Sequence, residues 1–327
     1  MSVPRWIIGV DIGGTNLVVG AVPFDGGPVL GLVTRPTEAR RGGHSVVERV
    51  VRMVRDVRAA LSDAHPGAEV VGVGIGSPGP LDRETGVVIK TPNLAWENFP
   101  VRDLVSDALG LPATLDNDAN CATYGEWWLG AGRGSRHLVG LTIGTGIGGG
   151  LVVDGRIFHG ASDAAGEFGH MTIDFHGRKC ACGNYGCLEA YASGPNIAAR
   201  AVEGIEAGAE TILVDQVGGA LDRITAATVY EGAVAGDPYA NEVLRETAKI
   251  LGAGVANLVN GLNPDVVVIA GGVVRAGDLL LAPLRESVRQ RAFRSAVEAC
   301  AIRVAELGET AGVVGAAGVF RAEALGS

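Results

Sequence analysis

The chain has 327 residues, 47% of them hydrophobic, and a formal net charge of -9 at pH 7. That length accommodates one large domain or two ordinary ones with a sizeable core, and the acidic balance argues against nonspecific nucleic-acid binding. No apolar run reaches the roughly 18 residues that would suggest a membrane span, and the 51 glycines fall in clusters, which suggests tight turns and phosphate loops rather than collagen or disorder. The chain enters WIIGVDIGGTN without a cationic stretch, a long apolar core and a cleavage site, so a cytoplasmic protein is expected.

Residues 5–10 form a short β-rich run leading into Asp11. A second run covers 16–22, and a third covers 28–34 after the turn signal FDGG. Three short strands joined by tight turns predict an antiparallel meander. Residues 45–64 carry Val46, Val47, Val50, Val54, Val57 and Leu61 at helical spacing with charges on the other face, as in an amphipathic helix. A strand at 69–75, a helix at 101–109 and a strand at 111–115 complete a β-β-β-α-β-α-β series.

The order then begins again. Strands are expected at 137–143, 149–153 and 156–158, followed mainly by helices at 195–202, 224–235, 238–258 and 279–293, with strands at 266–270 and 302–304 between them. The last helix, 311–324, opens with AGVVGAAG, small residues that permit close packing. Two similar units predict a duplicated two-domain α/β architecture with an interdomain cleft. No low-complexity linker separates them, so the boundary is expected at a hinge near 117–120.

Several stretches can carry chemistry. In DIGGTN, 11–16, Gly13 and Gly14 let backbone amides approach a phosphate, Thr15 adds a hydroxyl donor and Asp11 can hold a hydrated Mg2+. A plain β-turn is the other reading. TIGTGIGGG, 142–150, is its counterpart in the second half. Its loose G-x-G-x-x-G joins two strands with no helix directly after, so a dinucleotide-binding fingerprint is not expected. AGGV, 270–273, follows the strand DVVVIA and either lets a flat ring lie on the backbone or makes a strand-to-helix turn. DNDAN, 116–120, offers a general base at a strand end, or an Asx-type turn or helix cap in which Asn120 serves as the N-cap. SPGP at 77–80 and TPN at 91–93 are turns that either wall a polar site or merely connect.

The stretch EFGHMTIDFHGRKCACGNYGCLE, 167–189, holds Cys180, Cys182 and Cys187 in a C-x-C-x4-C run, with His170 ten residues before the first. That donor set suits a structural Cys3His zinc site without an open position for water. Gly183 and Gly186 allow the tight turns that bring the thiolates together, and Glu167 and Glu189 stand at the two ends of the loop. Reduced, unligated thiols are the alternative, and His176 competes with His170 as a ligand. Cys121 and Cys300 read as small buried apolar residues. Arg285, Arg289, Arg291 and Arg294 read as a solvated helix face, and His44, His65, His137 and His159 show no partner pattern.

DIGGTN, DNDAN, TIGTGIGGG, GEFGHM, CACGNYGCLE and AGGV, in this order over essentially the whole chain, resemble the ROK family of sugar kinases and sugar-responsive repressors, and within it the bacterial ATP-dependent glucokinases. The resemblance implies the two-domain ribonuclease-H-like fold of actin and hexokinase. Its domains would comprise 1–118 plus 311–327 and 119–310, the second containing the zinc loop 167–189. It further implies that Asp118 is the catalytic base toward the sugar 6-hydroxyl. Asn117, Glu167, His170 and Glu189 would bind sugar hydroxyls, with Gly79 and Asn93 lining the same site. Asp11 would orient Mg2+, and Gly13, Gly14, Thr15, Asn16, Thr145 and Gly146 would meet ATP phosphates, with Gly271 and Gly272 near the adenosine. The implied activity is phosphorylation of D-glucose by ATP in a homodimer or homotetramer, without nucleic acid or membrane as partner. Kinases for mannose, fructose or N-acetylmannosamine and a polyphosphate-using glucokinase share the pattern. A repressor of the family carries a helix-turn-helix ahead of the kinase-like part, for which the ten residues before Asp11 leave no room. A noncatalytic sugar sensor is disfavoured by Asp118 and the two phosphate turns.

Overall fold

The computed structural model describes residues 3–91 and 93–326; Pro92 of the TPN turn lies outside them. In chain order the elements are β1 (Arg5–Ile12), β2 (Asn16–Pro23), β3 (Leu30–Pro36), α1 (Gly43–Ala64), β4 (Glu69–Ser77), β5 (Leu81–Asp82), β6 (Val87–Thr91), β7 (Trp96–Phe99), α2 (Val101–Leu109), β8 (Ala113–Asn117) and α3 (Asp118–Leu129). There follow β9 (Leu138–Ile143), β10 (Ile147–Val153), β11 (Arg156–Ile157), α4 (Glu189–Ala192), α5 (Gly194–Glu206), α6 (Leu213–Gln216), α7 (Ala226–Val234), α8 (Pro238–Leu262), β12 (Val266–Ala270), α9 (Asp278–Arg291), α10 (Arg294–Ala299), β13 (Ala301–Val304) and α11 (Ala311–Ala324).

Two five-stranded sheets share one strand order, β3-β2-β1-β4-β8 in the first and β11-β10-β9-β12-β13 in the second. The expected meander is present, with β1–β2 and β2–β3 antiparallel, while β1–β4 and β4–β8 are parallel. In the second sheet β10–β11 is antiparallel and β12–β13 parallel. Parallel neighbours need crossover connections. In the first sheet these run through α1 and through the segment that holds β5–β7 and α2. The small antiparallel sheet β5-β6-β7 was not foreseen. Its strands are two, five and four residues long, too short for alternation to show in the sequence.

Packing divides the chain into two compact units. One holds the residues up to Gly140, then Gly150–Gly166, then Ala305 onward; the other holds Leu141–Gly149 and Glu167–Val304. In the first unit, side-chain alternation along β1 sends Ile8, Val10 and Ile12 to a core shared with Val50, Val54, Val57 and Leu61 of α1. Ile7 faces the other way, onto Val313, Ala317 and Phe320 of α11. Period-two geometry puts Asp11 on that same second face. Helix α11 is buried from Ala311 through Phe320 and packs on β1, β4 and α3. Helix α3, which the sequence reading assigned to the second domain, therefore belongs by packing with the first unit.

In the second unit α8 packs against α7 and α9. Asp237 caps α8 by accepting from the Ala240 N–H at 2.7 Å, and Pro238 follows at the first helical position. Helix α9 ends at Arg291, so Phe293, expected within it, stands 76% exposed. Strand β8 runs through Asn117, two residues past its expected end, which carries Asp116 and Asn117 into pairing with Gly76 and Ser77 of β4.

Candidate active site

In the first unit Asp11 sits near the end of β1, against the start of α11. Burial lifts its carboxyl to about 7, and the charge of Asp118 adds to the rise. After it, Gly14, Thr15 and Asn16 are exposed in the β1–β2 turn, while Gly13 is partly buried. The turn is closed by the Gly13 N–H donating to the Asn16 carbonyl at 2.9 Å and is tied to Thr37, whose hydroxyl donates to the Gly13 carbonyl at 2.6 Å. It offers backbone donors to an anion.

DNDAN separates into distinct roles. Asn117 is the N-cap of α3, its Oδ1 accepting from the Ala119 and Asn120 N–H groups at 2.9 and 3.2 Å. The cap thus falls three residues before Asn120, the residue the sequence reading favoured. Asn120 is buried instead, donating from Nδ2 to Asp116 Oδ1 at 3.1 Å. With the Asn117 oxygen used by the cap, its amide NH2 is the group that can face a ligand. Asp116 is 1% exposed and bonded into the protein. Asp118, partly exposed as the first residue of α3, accepts from the Ala119 N–H at 2.8 Å. A carboxylate there lies in the favourable field of the helix N-terminus. Nearby, a Cβ on Gly79 would come 3.6 Å from Asn117 Nδ2, and one on Gly14 would come 3.2 Å from Asn93 Cβ. Asn93 is exposed.

In the second unit Gly144 and Thr145 are exposed in the β9–β10 turn, which is closed by the Gly144 N–H on the Gly146 carbonyl at 2.9 Å. Glu189 opens α4, and its Oε2 accepts from the Ile147 N–H at 2.8 Å. A Cβ at 146 would fall 2.7 Å from that oxygen, so any side chain there would have to displace the carboxylate.

His170 ends a short 3-10 turn, Phe168–His170, and shares a cluster with Cys180, Cys182 and Cys187 whose ligand atoms all lie within 4.8 Å of one another. Cys182 Sγ and Cys187 Sγ are 3.7 Å apart, and Cys180 Sγ is 3.8 Å from His170 Nδ1. A tetrahedron with metal–sulfur bonds of about 2.3 Å has edges of about 3.8 Å, so the donors fit zinc. Nδ1 faces the thiols, and Nε2 stands 3.9 Å from Glu167 Oε2. Gly186 has φ 71°, and a Cβ there would fall 1.7 Å from the Asp174 carbonyl oxygen. Gly183 is also left-handed, at φ 98°, so both turns are those the sequence called for. His176 is exposed, its ring against Phe175, and is not among the clustered donors.

A cavity of about 550 Å³ opens beside Thr145 in the same unit. Its walls include Gly144, Pro195, Ala226, Tyr230 and Gly272, with Glu231 and Arg275 as polar groups. The size and the mixed lining suit a nucleoside. Gly272 lines it, whereas Gly271 packs behind, where a Cβ would fall 2.1 Å from the Ile143 carbonyl oxygen. The residues from α5 and α7 form no motif and gave no signal in the sequence; only the convergence of the elements marks them. Arg285, Arg289 and Arg294 are surface groups, the last two paired with Glu286 and Glu298. Cys121 is buried, its thiol pushed well up by desolvation, while Cys300 is only partly buried.

The ROK family model matches residues 7–323. A glucokinase of Halalkalibacterium halodurans is 39% identical over 318 residues, 95% of this chain and 93% of that protein. The crystal structure of a ROK hexokinase from Thermus thermophilus aligns with a TM-score of 0.83 at 34% identity, over 98% of this chain and 100% of that one. A ROK family glucokinase from Streptomyces griseus, solved in complex with glucose and AMPPNP, aligns with a TM-score of 0.79 at 35% identity, over 96% of this chain and 98% of that one. The architecture is thus the actin/hexokinase-type α/β fold that the resemblance implied. No helix among the described residues is long and apolar enough to cross a membrane.

Proposed function

This chain belongs to the ROK family, and we infer that it is a glucokinase, transferring the γ-phosphoryl group of ATP to the 6-hydroxyl of D-glucose. Asp118 takes the hydroxyl proton, and the freed oxygen attacks the γ-phosphorus in line. The bond from that phosphorus to the β–γ bridging oxygen breaks, giving glucose 6-phosphate and ADP. Such a reaction needs positioning and charge neutralisation above all. Gly13, Gly14, Thr15 and Asn16 on one turn, and Thr145 and Gly146 on the other, hold the phosphates. Asp11 orients hydrated Mg2+, which when bound offsets the charge of the β- and γ-phosphates. The cavity beside Gly272, with Gly271 behind it, takes the adenosine.

Glucose is bound through Asn117, Asn93, Gly79, Glu167, His170 and Glu189. His170 serves twice, with Nδ1 on the metal side and Nε2 toward the sugar, as metal-bound histidines use their second nitrogen. Zinc held by His170, Cys180, Cys182 and Cys187 shapes the loop and takes no part in the chemistry. The observation that carries the reading is the pairing of two carboxylates on different elements. Asp118 lies close enough to desolvated Asp11 for its charge to raise the Asp11 pKa, which fits a base beside the place where a cation is oriented.

The cytoplasm is the compartment that fits, because it keeps the zinc thiolates reduced. A homodimer or homotetramer is the expected assembly, closed symmetry being the usual outcome. The test is a coupled assay with Mg-ATP against glucose, mannose, fructose, N-acetylglucosamine and N-acetylmannosamine. Dominant turnover of glucose supports the reading. A stronger rate with another hexose replaces the substrate, and no turnover of any sugar by zinc-loaded protein sinks the ATP-kinase assignment.

A further inference from the structure

Under the DNDAN turn lie three ionisable side chains that the reaction as derived does not use. Asp116 Oδ1 accepts from the Asn117 N–H at 2.7 Å and from Asn120 Nδ2 at 3.1 Å. Its Oδ2 is 2.8 Å from His159 Nε2 and 3.2 Å from Arg83 Nε. Arg83 Nη1 is 3.2 Å from His159 Nδ1, and Nη2 donates to Glu323 at 2.7 Å. The Arg83 backbone N–H donates to Asp163 at 3.2 Å. A guanidinium only donates, so His159 Nδ1 is the acceptor and the imidazole proton sits on Nε2, directed at Asp116. Arg83 therefore fixes the tautomer that His159 presents.

His159 gave no partner pattern in the sequence because Asp116 is 43 residues away and Arg83 is 76. The cluster has a direct covalent line to the chemistry. One oxygen of Asp116 holds the backbone N–H of Asn117, and Asn117 is both the cap of α3 and the neighbour of Asp118. The other oxygen depends on His159 and Arg83. If that second hold is lost, Asp116 is free to turn toward another donor and release Asn117.

We propose that His159, oriented by Arg83, is a positioning residue for the general base, holding Asp116 so that Asn117 and Asp118 begin α3 in the reactive geometry. This rests on the reading of Asp118 as base. A base displaced by about 1 Å can cost about a hundredfold in rate, so a group that never meets substrate can still govern turnover.

The experiment uses the full zinc-loaded chain with His159→Leu, His159→Gln and Asp116→Asn. Circular dichroism and Tm report folding, and steady-state kinetics give kcat and both KM values. His159→Leu is expected to lower kcat by about tenfold to a hundredfold with the KM for ATP within about twofold. His159→Gln, whose amide N–H can reach Asp116, is expected to recover kcat to within about threefold of wild type. Asp116→Asn, which forfeits the charge facing Arg83, is expected to follow the leucine variant. If His159→Leu does not fold, the glutamine variant is compared with His159→Asn, whose shorter amide falls away from Asp116 and takes the place of leucine under the same criteria. Lower Tm values with kcat per folded molecule unchanged would make the cluster a structural pin and overturn the proposal. An active wild type with kcat insensitive to these changes sinks only the role of His159, whereas a wild type without sugar turnover sinks the glucokinase reading and the positioning role together.

Discussion

The Glu189 carboxylate accepts the backbone N–H of Ile147 at 2.8 Å, which fastens the acid that opens α4 to the turn between β9 and β10. A carboxylate assigned to glucose is thus built onto a turn assigned to phosphate. A side chain at position 146 would have to displace that same oxygen. Gly146→Ala should push the carboxylate aside and disturb both substrates, lowering kcat/KM for glucose and for ATP by about ten- to a hundredfold. Steady-state kinetics with each substrate varied in turn check this. An effect confined to ATP would separate the turn from the acid.

Asp118→Asn keeps the size of the side chain and its place at the start of α3 but removes its basicity. We expect kcat to fall by about 10²- to 10⁴-fold, while glucose still binds, as titration calorimetry can measure. Asp116→Asn acts through the backbone of Asn117 and should cost less. A larger loss from Asp116→Asn than from Asp118→Asn would reverse the two assignments.

Removal of zinc should unfold the loop 167–189 rather than the whole chain, because metal binding and local folding are linked at a site with four protein ligands. Glucose affinity should be lost, since Glu167, His170 and Glu189 lie on that loop. A nucleotide analogue should still be taken up by the cavity lined by Tyr230 and Gly272. Hydrogen exchange after chelation, read beside calorimetry for each ligand, tests this. Protection of the loop unchanged in metal-free protein would count against a structural metal.

Asp11 is held at about 7, above its ordinary value of 3.8. Between those values the folded chain keeps a proton that the unfolded chain has released. The resulting stabilisation is full below the unfolded value and disappears as pH rises through about 7. Mg2+-free protein should therefore lose Tm from about pH 4 to about pH 7, with little further loss above, and Asp11→Asn should flatten that slope. Mg2+ favours the ionised carboxylate, so at limiting Mg2+ activity should rise as pH passes through about 7, and saturating Mg2+ should move the rise to lower pH. A Tm that does not change with pH in the wild type would remove Asp11 from this role.

Much of the fold was legible because its signals are local. The β-β-β-α order could be read twice from alternation, helical spacing and glycine turns, all of which depend only on neighbouring residues. The metal cluster was legible for the same reason, its four donors falling between His170 and Cys187 with left-handed glycines at 183 and 186. The strands at 81–82 and 96–99 were not, since two and four residues carry too little pattern.

By itself, then, the sequence determined the turns, the ligand spacing and the family to which they belong. Tertiary structure alone decided which aspartate of DNDAN is buried in a bonded cluster and which is left at the helix start. It also brought His159 and Arg83 to Asp116, joined Glu189 to Ile147, and assembled the cavity beside Thr145 from α5, α7 and the Gly272 turn. The physical reason is one of range. A turn or a chelating loop is specified by covalent spacing, whereas the partner of a buried charge is set by strand register and packing between segments many residues apart, which no local pattern encodes.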